Sequence, residues 1–252
     1  MIDLRHGDCF EALKDIPDNS VDCIVTDPPY GNTDCAFDCI VDEKTMLAEF
    51  QRIIKPNRAV CVFCMLRMAA RLLNIAPKFF RYEWIWAKNR SVGFFDCNKK
   101  PLRAHEIILV FGNGMPEYFP QYTYGKPYKR NRPAVTCEHW SHTTPRTCTN
   151  NQTGKRYLRD VLQFKNINQP CDYGHPTQKP VDLIEYLIRT YSVKGDCILD
   201  PFAGSGTTAV ACVNSDRDFL GWELDQTYFE RAQKRIEGAK INKAETLDLE
   251  FV

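Results

Sequence analysis

Two periodicities of apolar residues alternate along most of the chain. Short apolar stretches bounded by turn residues predict buried strands, and longer stretches with apolar residues at every third or fourth position predict helices. Strands are predicted at residues 2–6, 21–26, 59–65, 83–87, 106–111, 197–199 and 219–223. Helices are predicted at residues 46–54, 67–75, 181–191, 206–213 and 226–237.

The order of these elements predicts the architecture. Strands that alternate with helices are typical of a mostly parallel sheet with helices on both faces. From residue 112 to about residue 163, Gly, Pro, Asn, Thr and Tyr dominate and the periodicity is lost, which indicates an insertion. We therefore divide the chain into 1–111, 112–165 and 166–252, where the outer two segments form a single α/β domain around the inserted one.

Composition limits the class of protein. The chain has 252 residues, of which 44% are hydrophobic and 26% charged, as in an ordinary globular protein. It contains no apolar run of about 18 residues and no signal-peptide pattern, so we expect a cytoplasmic protein without a membrane span. Its 12 cysteines are therefore expected to be reduced thiols.

The net charge of +1 conceals an uneven distribution. Residues 97–170 contain 12 Lys and Arg against 4 Asp and Glu, a balance of +8, which leaves −7 for the rest of the chain. A basic segment in an otherwise acidic chain is typical of a protein that binds a polyanion. Composition alone leaves open the alternative of a solvated basic loop.

A glycine-rich segment follows the predicted strand 197–199 and precedes a predicted helix. Its residues are Asp200, Pro201, Phe202, Ala203, Gly204, Ser205, Gly206, Thr207 and Thr208. Glycine at a strand–helix junction allows close approach of a ligand, and Glu223, at the end of the next strand, can accept both hydroxyls of a ribose. The segment lacks Gly-x-Gly-x-x-Gly and Gly-Lys-Ser/Thr, which favours S-adenosylmethionine over NAD or ATP.

A second candidate site, Asp27-Pro28-Pro29-Tyr30, comes directly after the predicted strand 21–26. Methyl transfer to an aromatic amine requires that the nitrogen lone pair leave conjugation with the ring. The Asp27 carboxylate and a backbone carbonyl aimed by Pro28 can accept the two amine hydrogens, and Tyr30 can stack on a flipped base. The alternative is a rigid turn fixed by two prolines.

Three segments occur in an order that resembles a known enzyme family. Asp27-Pro28-Pro29-Tyr30 is similar to the catalytic motif of the DNA amino-methyltransferases, and residues 200–206 are similar to their S-adenosylmethionine motif. His175-Pro176-Thr177-Gln178-Lys179-Pro180 resembles the motif that precedes the latter and closes over the cofactor. With the catalytic motif first, the chain resembles the permuted beta class, and its length resembles the compact enzymes of phages and prophages.

The resemblance implies a fold and a cofactor site. The fold is the Rossmann-like methyltransferase fold, a seven-stranded sheet with one antiparallel strand. Asp8 and Cys9, after the first strand, lie at the cofactor in this family, with Asp8 holding its adenine. The full set of predicted cofactor ligands is Asp8, Cys9, Asp27, Thr177, Lys179, Asp200, Phe202, Ala203, Gly204, Ser205, Gly206, Thr207, Thr208 and Glu223.

Two further segments, 84–88 and 101–106, also resemble the family, without an assigned role. Ala36-Phe37-Asp38 departs from the Trp-Asp of many relatives, which leaves open how the loop after Tyr30 closes over the base.

The insertion occupies the place of the target-recognition region in this class. It interleaves Lys and Arg with Tyr and Trp, and cations bind phosphates while Arg and Asn can read base edges. The predicted DNA contacts are Lys99, Arg103, Lys126, Lys129, Arg130, Arg132 and Arg156. The alternative is that the aromatic residues form a local core. The expected partner is double-stranded DNA, bound by a monomer or a homodimer, with a cognate restriction enzyme as a possible companion.

Other chemistries are weighed against this one. Cys137, His139, His142 and Cys148 are metal-ligating types, but their spacing matches no standard zinc module, so we expect no metal. We interpret Cys171 as a bystander, because amine methylation needs no covalent intermediate.

The amine could be that of adenine or of cytosine, and the Asp at the head of the motif favours adenine. A methyltransferase that acts on RNA or on a protein glutamine is disfavoured, because those relatives usually carry Asn at position 27 and lack this basic insertion. Two alternatives belong to other classes of protein. One is a DNA-binding protein that has lost activity, and the other is an NAD-dependent oxidoreductase.

Overall fold

Strands and helices alternate in the computed structural model, which describes residues 1–30, 41–132, 135–136, 143–144, 147–166 and 178–250. In chain order the elements are β1 (Ile2–His6), α1 (Cys9–Leu13), β2 (Val21–Thr26), α2 (Glu43–Ile53), β3 (Ile54–Cys64), α3 (Leu66–Ile75), β4 (Phe80–Val92), β5 (Arg103–Phe111), β6 (Tyr122–Tyr124), β7 (Tyr128–Arg132), β8 (Val135–Thr136), β9 (Thr143–Thr144), β10 (Thr147–Asn151), β11 (Lys155–Tyr157), β12 (Val161–Phe164), α4 (Val181–Tyr191), β13 (Cys197–Asp200), α5 (Thr207–Ser215), β14 (Asp218–Glu223) and α6 (Gln226–Glu250). A 3-10 turn, Phe94–Asp96, lies between β4 and β5.

Eight strands form one sheet in the order β1-β14-β13-β2-β3-β5-β4-β12. Neighbouring strands are parallel, except that β5 is antiparallel to both β3 and β4. The predicted α/β class, with a large and mostly parallel sheet, is confirmed. The sequence predicts seven strands, and the structure adds β12, which pairs with β4 although residues 161–164 were assigned to the insertion. β12 is an edge strand in which only Leu162 is buried, so it lacks the apolar run that marks the inner strands.

The two faces of the sheet are covered by different helices. In β2, Ile24 packs into a buried cluster with residues of α1, α2 and α3, such as Leu13, Phe50 and Leu72. Cys23 and Val25 alternate with Ile24 and are also fully buried, so they face the other side, where α4, α5 and α6 pack. Both faces of β2 are therefore covered, which explains its continuous apolar run.

The cysteines of the described residues are free thiols, of which five are buried and Cys97 is exposed. The described ones are Cys9, Cys23, Cys61, Cys64, Cys97, Cys197 and Cys212. Burial raises the pKa of the Cys64 thiol to about 12, so this cysteine is uncharged and acts as a small apolar residue.

Helix boundaries follow local chemistry. The Asp42 carboxylate accepts the N–H groups of Lys44 and Thr45 and caps α2. The last helix, α6, runs to Glu250, 13 residues beyond the predicted end at residue 237. Among the helices of the described ranges, none is both long and apolar enough to cross a membrane.

A second compact unit comprises Pro120–Arg159. It contains the antiparallel pairs β6–β11, β7–β10 and β8–β9. The Tyr122 ring packs on Tyr157 at 5.1 Å, and the Lys155 ammonium lies 3.5 Å from the Tyr122 ring centroid. The segment that the sequence leaves without periodicity therefore contains short antiparallel strand pairs, whose described side chains are mostly exposed and show no buried face.

We predict that Tyr191→Phe destabilises the protein by about 1–3 kcal/mol, the usual cost of leaving a buried polar group unpaired. The fully buried Tyr191 hydroxyl accepts the Trp84 indole N–H at 2.6 Å and shares a hydrogen bond with Tyr82 at 2.9 Å. Urea unfolding measures the change. Tyr82→Phe is the matched control, because Tyr191 would still satisfy Trp84, and a loss equal to that of Tyr191→Phe would contradict the assignment.

Candidate active site

Four carboxylates lie at the carboxyl ends of four neighbouring strands. Asp8 follows β1, Glu223 ends β14, Asp200 ends β13, and Asp27 follows β2. These strands are adjacent and parallel in the sheet, so all four residues lie at one edge. The carboxyl edge of a parallel sheet is where such folds bind ligands.

The Glu223 carboxylate is fixed by the backbone. One oxygen accepts the N–H of Gly204 and the other accepts the N–H of Asp225, both at 2.8 Å. Gly204 has a φ of 51°, a left-handed conformation that favours glycine. Burial raises the pKa of Glu223. Each oxygen keeps a lone pair for a hydroxyl donor, so the orientation is compatible with the predicted ribose contact.

The turn after β1 adjoins Glu223. The Gly7 N–H donates to the carbonyl of Glu223 at 3.0 Å, and the exposed Asp8 side chain caps α1 through the Phe10 N–H at 2.8 Å. The half-buried rings of Phe10 and Phe202 meet edge to face, with centroids 6.2 Å apart. Cys9 is buried, and burial raises the pKa of its thiol to about 12. The turn therefore presents one carboxylate beside an aromatic pair.

Asp200 is engaged within the protein. Its carboxylate accepts the hydroxyls of Thr26 at 2.8 Å and Thr208 at 2.6 Å, and the Phe202 N–H at 3.2 Å. Burial raises its pKa to about 6. These bonds join β2, β13 and α5, so Asp200 fixes the glycine-rich segment in place.

Arg235 of α6, which lies in no sequence motif, supports the same segment. Its guanidinium donates to the Ser205 carbonyl at 2.9 Å, to the Ser205 hydroxyl at 3.2 Å and to the Thr207 hydroxyl at 2.9 Å. Arg235 is 8% exposed and lies on the helix face that buries Ala232 and Ile236. An arginine on a buried helix face was the available signal, because such a charge needs partners.

A chain of charged groups surrounds Asp27. The Tyr30 hydroxyl and the Lys179 ammonium each donate a hydrogen bond to the Asp27 carboxylate. Lys179 also lies 3.5 Å from Glu106, and Lys88 donates to the other Glu106 oxygen. The side chains of Lys179, Lys88 and Glu106 are nearly buried, whereas that of Asp27 is 25% exposed. The negative charges of the two carboxylates therefore balance the positive charges of the two ammonium groups. Asp27 is the most exposed of the four residues.

The charges of this chain support one another. Burial acts to lower the pKa of Lys179, but Asp27 and Glu106 outweigh it and raise that pKa above its usual value. Burial acts to raise the pKa of Glu106, but the two lysines hold it below its usual value. Burial and the Asp27 charge raise the pKa of Tyr30, so its hydroxyl stays protonated and remains a donor.

Glu106 and Lys88 lie in the two segments, 101–106 and 84–88, that resemble the family. The sequence assigns neither residue a role. Each lies inside its strand, at the point where the buried apolar run gives way to polar residues toward the carboxyl edge of the sheet. A charged residue at the end of a buried run was the available signal for both.

The remaining predicted residues divide into three groups. Pro28 and Pro29 lie between Asp27 and Tyr30, and Ala203 donates its N–H to the Trp222 carbonyl at 2.9 Å. Lys99 and Arg103 are exposed near the ends of the β4–β5 connection, and Lys126, Lys129, Arg130 and Arg156 are exposed in the second unit. Thr177, Gly31, residues 36–38, Cys137, His139, His142, Cys171 and the side chains of Arg132 and Cys148 lie outside the described residues.

The groups at this edge fit S-adenosylmethionine. Carboxylates such as Glu223 and Asp8 accept hydrogen bonds from ribose hydroxyls and from an adenine amine. An acidic edge also suits a ligand that carries a sulfonium and an ammonium group.

A family model described as DNA methylase, of the N6 and N4 methyltransferase type, matches residues 21–234. The chain belongs to this family. The matched DNA methylase region contains the Asp27 motif, the glycine-rich segment and the residues of the second unit.

Similar proteins agree with this assignment. The Type II methyltransferase M.BglII of Bacillus subtilis is 28% identical over 93% of this chain and 69% of its own length. The DNA adenine methyltransferase YhdJ of Escherichia coli K12 is 27% identical over 96% of this chain and 85% of its own length.

Solved structures share the fold. The M1.HpyAVI–SAM complex is 27% identical, with a TM-score of 0.65 over 94% of this chain and 99% of the other. The cytosine-N4-specific PvuII DNA methyltransferase has a TM-score of 0.66 at 16% identity, over 94% of this chain and 90% of the other. This DNA methylase therefore uses S-adenosylmethionine and acts on an amine of DNA.

We predict that Asp200 makes stability depend on pH. The folded pKa of about 6 lies above the usual 3.8, so the unfolded chain ionises first as pH rises. The contribution of Asp200 is complete below about pH 4 and is lost as pH rises through about 6. The unfolding free energy of wild type minus that of Asp200→Asn should therefore fall by roughly 2–3 kcal/mol between pH 4 and pH 7 in urea titrations.

Asp216→Asn is the control of opposite sign. Hydrogen bonds from Lys194 and Lys243 lower the pKa of Asp216 to about 2, so its contribution is lost as pH falls. The corresponding difference should rise with pH below about pH 5. A flat difference for Asp200→Asn would contradict a folded-state pKa that burial raises.

Proposed function

We propose that this chain transfers the methyl group of S-adenosylmethionine to the N6 amine of adenine at a specific sequence in duplex DNA. The observation that carries the proposal is the accessible Asp27 carboxylate, fixed by Tyr30 and Lys179. Asp at the head of the motif and the 27% identity to an enzyme named as a DNA adenine methyltransferase favour adenine. Methylation of the cytosine N4 amine is the alternative, because an enzyme named as specific for it has the same fold.

Asp27 and Pro28 act on the target amine in this proposal. The amine donates one hydrogen to the Asp27 carboxylate, in the place of the Tyr30 hydroxyl, and the other to a backbone carbonyl aimed by Pro28. Both bonds draw the nitrogen lone pair out of the ring system, and Pro29 keeps the turn rigid. Burial raises the pKa of Asp27, and the Lys179 ammonium acts against this by favouring the ionised carboxylate, the form that accepts a hydrogen bond. The Tyr30 ring stacks on the extruded base.

The cofactor residues orient the donor. Glu223 accepts the ribose hydroxyls and Asp8 accepts the adenine amine, while Phe10 and Phe202 contact the adenine ring. When bound, S-adenosylmethionine supplies an already activated methyl group on a sulfonium, so the protein contributes mainly orientation. The glycine-rich segment, supported by Arg235, lines the rest of the cofactor.

The insertion binds DNA in this proposal. We divide the chain into halves 1–111 and 166–252 of one methyltransferase domain and a target-recognition segment, 112–165. The exposed cations Lys126, Lys129, Arg130 and Arg156 of the second unit suit phosphates or guanine edges. A restriction enzyme that cuts the same sequence is the companion that such a role suggests.

We predict that Asp27→Ala lowers methyl transfer by at least about 100-fold, the scale of a lost catalytic hydrogen-bonding group. S-adenosylmethionine and DNA should still bind within about tenfold, because the carboxylate acts mainly on the reacting amine. The measurement is transfer of tritiated methyl to duplex DNA, followed by nucleoside analysis of the product. If the alanine variant does not fold, the same measurement is made on Asp27→Asn, which keeps an acceptor oxygen but removes the charge.

Glu223→Ala is the matched variant for the cofactor edge. It should weaken S-adenosylmethionine binding by about 1–3 kcal/mol in calorimetry, since a carboxylate that accepts two hydroxyls is removed.

A folded Asp27→Ala protein with near-normal turnover would overturn the catalytic role, whereas N4-methylcytosine in the wild-type product would overturn only the choice of base.

DNA binding should weaken steeply with salt, because cations of the second unit release counterions when they bind phosphates. Neutralising Lys129 and Arg130 together, as Lys129→Gln and Arg130→Gln, should flatten the log–log slope of affinity against salt by up to about two units. Fluorescence anisotropy measures the slope. Lys234→Gln combined with Lys240→Gln, at two exposed lysines of α6, is the charge-matched control, and an unchanged slope in the Lys129 and Arg130 double variant would show that these two residues do not contact phosphate.

A further inference from the structure

The connection between β4 and β5 exposes two aromatic rings to solvent. Phe94 is 74% exposed and Phe95 is fully exposed. Large apolar side chains are usually buried, and adjacent exposed ones are typical of a binding surface. Neither ring takes part in the site around Asp27.

The turn that carries these rings is ordered by its own hydrogen bonds. The Asp96 N–H donates to the Gly93 carbonyl and the Cys97 N–H donates to the Phe94 carbonyl, both at 3.1 Å. Gly93 has a φ of 90°, which glycine adopts without strain. Lys100 forms an ion pair with Asp96 at 2.7 Å. The turn therefore presents Phe95 in a defined position.

The turn leaves the sheet at the same edge as Asp27. β4 is parallel to β12 and antiparallel to β5, and the β4–β5 pairing continues from Ala87–His105 to Val92–Arg103. β4 thus extends four residues beyond Lys88, about 13 Å at the usual rise of a strand. A duplex that delivers a base to Asp27 would approach this edge, which also carries the turn.

Exposed cations surround the rings. Arg90 precedes the turn, and Lys99, Lys100 and Arg103 follow it. Asp96 is the acid of the turn, and it is paired with Lys100. These cations favour contact with the phosphates of a duplex. They disfavour contact with the same face of a second copy of the chain, since like charges would meet.

On the basis of the proposed function, we propose that the turn inserts into the duplex and that Phe95 fills the space left by the extruded target base. Extrusion leaves a gap in the stack and costs unstacking and unpairing. An apolar ring inserted between base steps restores stacking, while the surrounding cations contact the phosphates.

The test uses a duplex whose target position has been mapped from DNA methylated by the wild-type protein, with 2-aminopurine at that position. Wild type should raise the 2-aminopurine fluorescence, and Phe95→Ala should lose most of this rise. Turnover of Phe95→Ala on the unsubstituted duplex should fall by about tenfold or more, and Phe95→Trp should restore it. S-adenosylmethionine binding should be unchanged. Met115→Ala, a 67% exposed residue beyond the opposite end of β5, is the matched control.

A duplex with a mispaired target separates extrusion from a general loss of activity. Extrusion is easier from a mispair, so Phe95→Ala should recover much of its turnover there. Wild-type fluorescence and turnover in Phe95→Ala would overturn the inference and leave the proposed function intact. Sedimentation that shows a wild-type dimer and a Phe95→Ala monomer would also overturn it, because the turn would then be a contact between copies. Absence of methylation by wild type would overturn the proposed function and the inference together.

Discussion

The buried ammonium of Lys179 is the group on which the site depends. Taking such a charge out of water costs several kcal/mol unless carboxylates compensate it. Asp27 and Glu106 provide this compensation from β2 and β5, and Lys88 balances the second carboxylate. Residues 152 positions apart in the chain are thereby held together. The two halves of the domain consequently share one electrostatic unit, and the orientation of Asp27 is a property of the whole sheet.

A second internal contact places the glycine-rich segment against this unit. The Asp200 carboxylate joins Thr26, which immediately precedes Asp27, to Thr208 at the start of α5. A displacement of the cofactor edge would therefore be transmitted to the turn that carries Asp27. Positioning of donor and acceptor relative to each other is what a methyl transfer with an activated methyl group requires.

The elements that the sequence predicts well are those with a strong periodic signal. β2 is covered on both faces, and α4 buries one face in a regular repeat, so both boundaries agree with the structure. The five-residue α1 is too short to produce a helical period, and β12 is an edge strand with a single buried residue. The end of α6 was placed too early because the side chains of residues 240–246 are mostly exposed, so no buried face marks the helix there.

The candidate site could be predicted only where its chemistry is local. Asp27-Pro28-Pro29-Tyr30 and residues 200–208 are contiguous, so their types and order are visible in the sequence. The roles of Glu106, Lys88 and Arg235 arise from distant residues that the fold brings together. The engagement of Asp200 with two threonine hydroxyls likewise depends on tertiary geometry, which no spacing along the chain contains.

The sheet order has a consequence for synthesis of the protein. β13 and β14 lie between β1 and β2, although about 170 residues separate the end of β2 from the start of β13. At usual rates of translation, one edge of the apolar strand β2 waits on the order of 10–30 s for its partner. During that interval the unpaired backbone groups along this edge of β2 are open to pairing with other chains, which leads to aggregation. The need for a chaperone in the producing cell is therefore greatest in this interval.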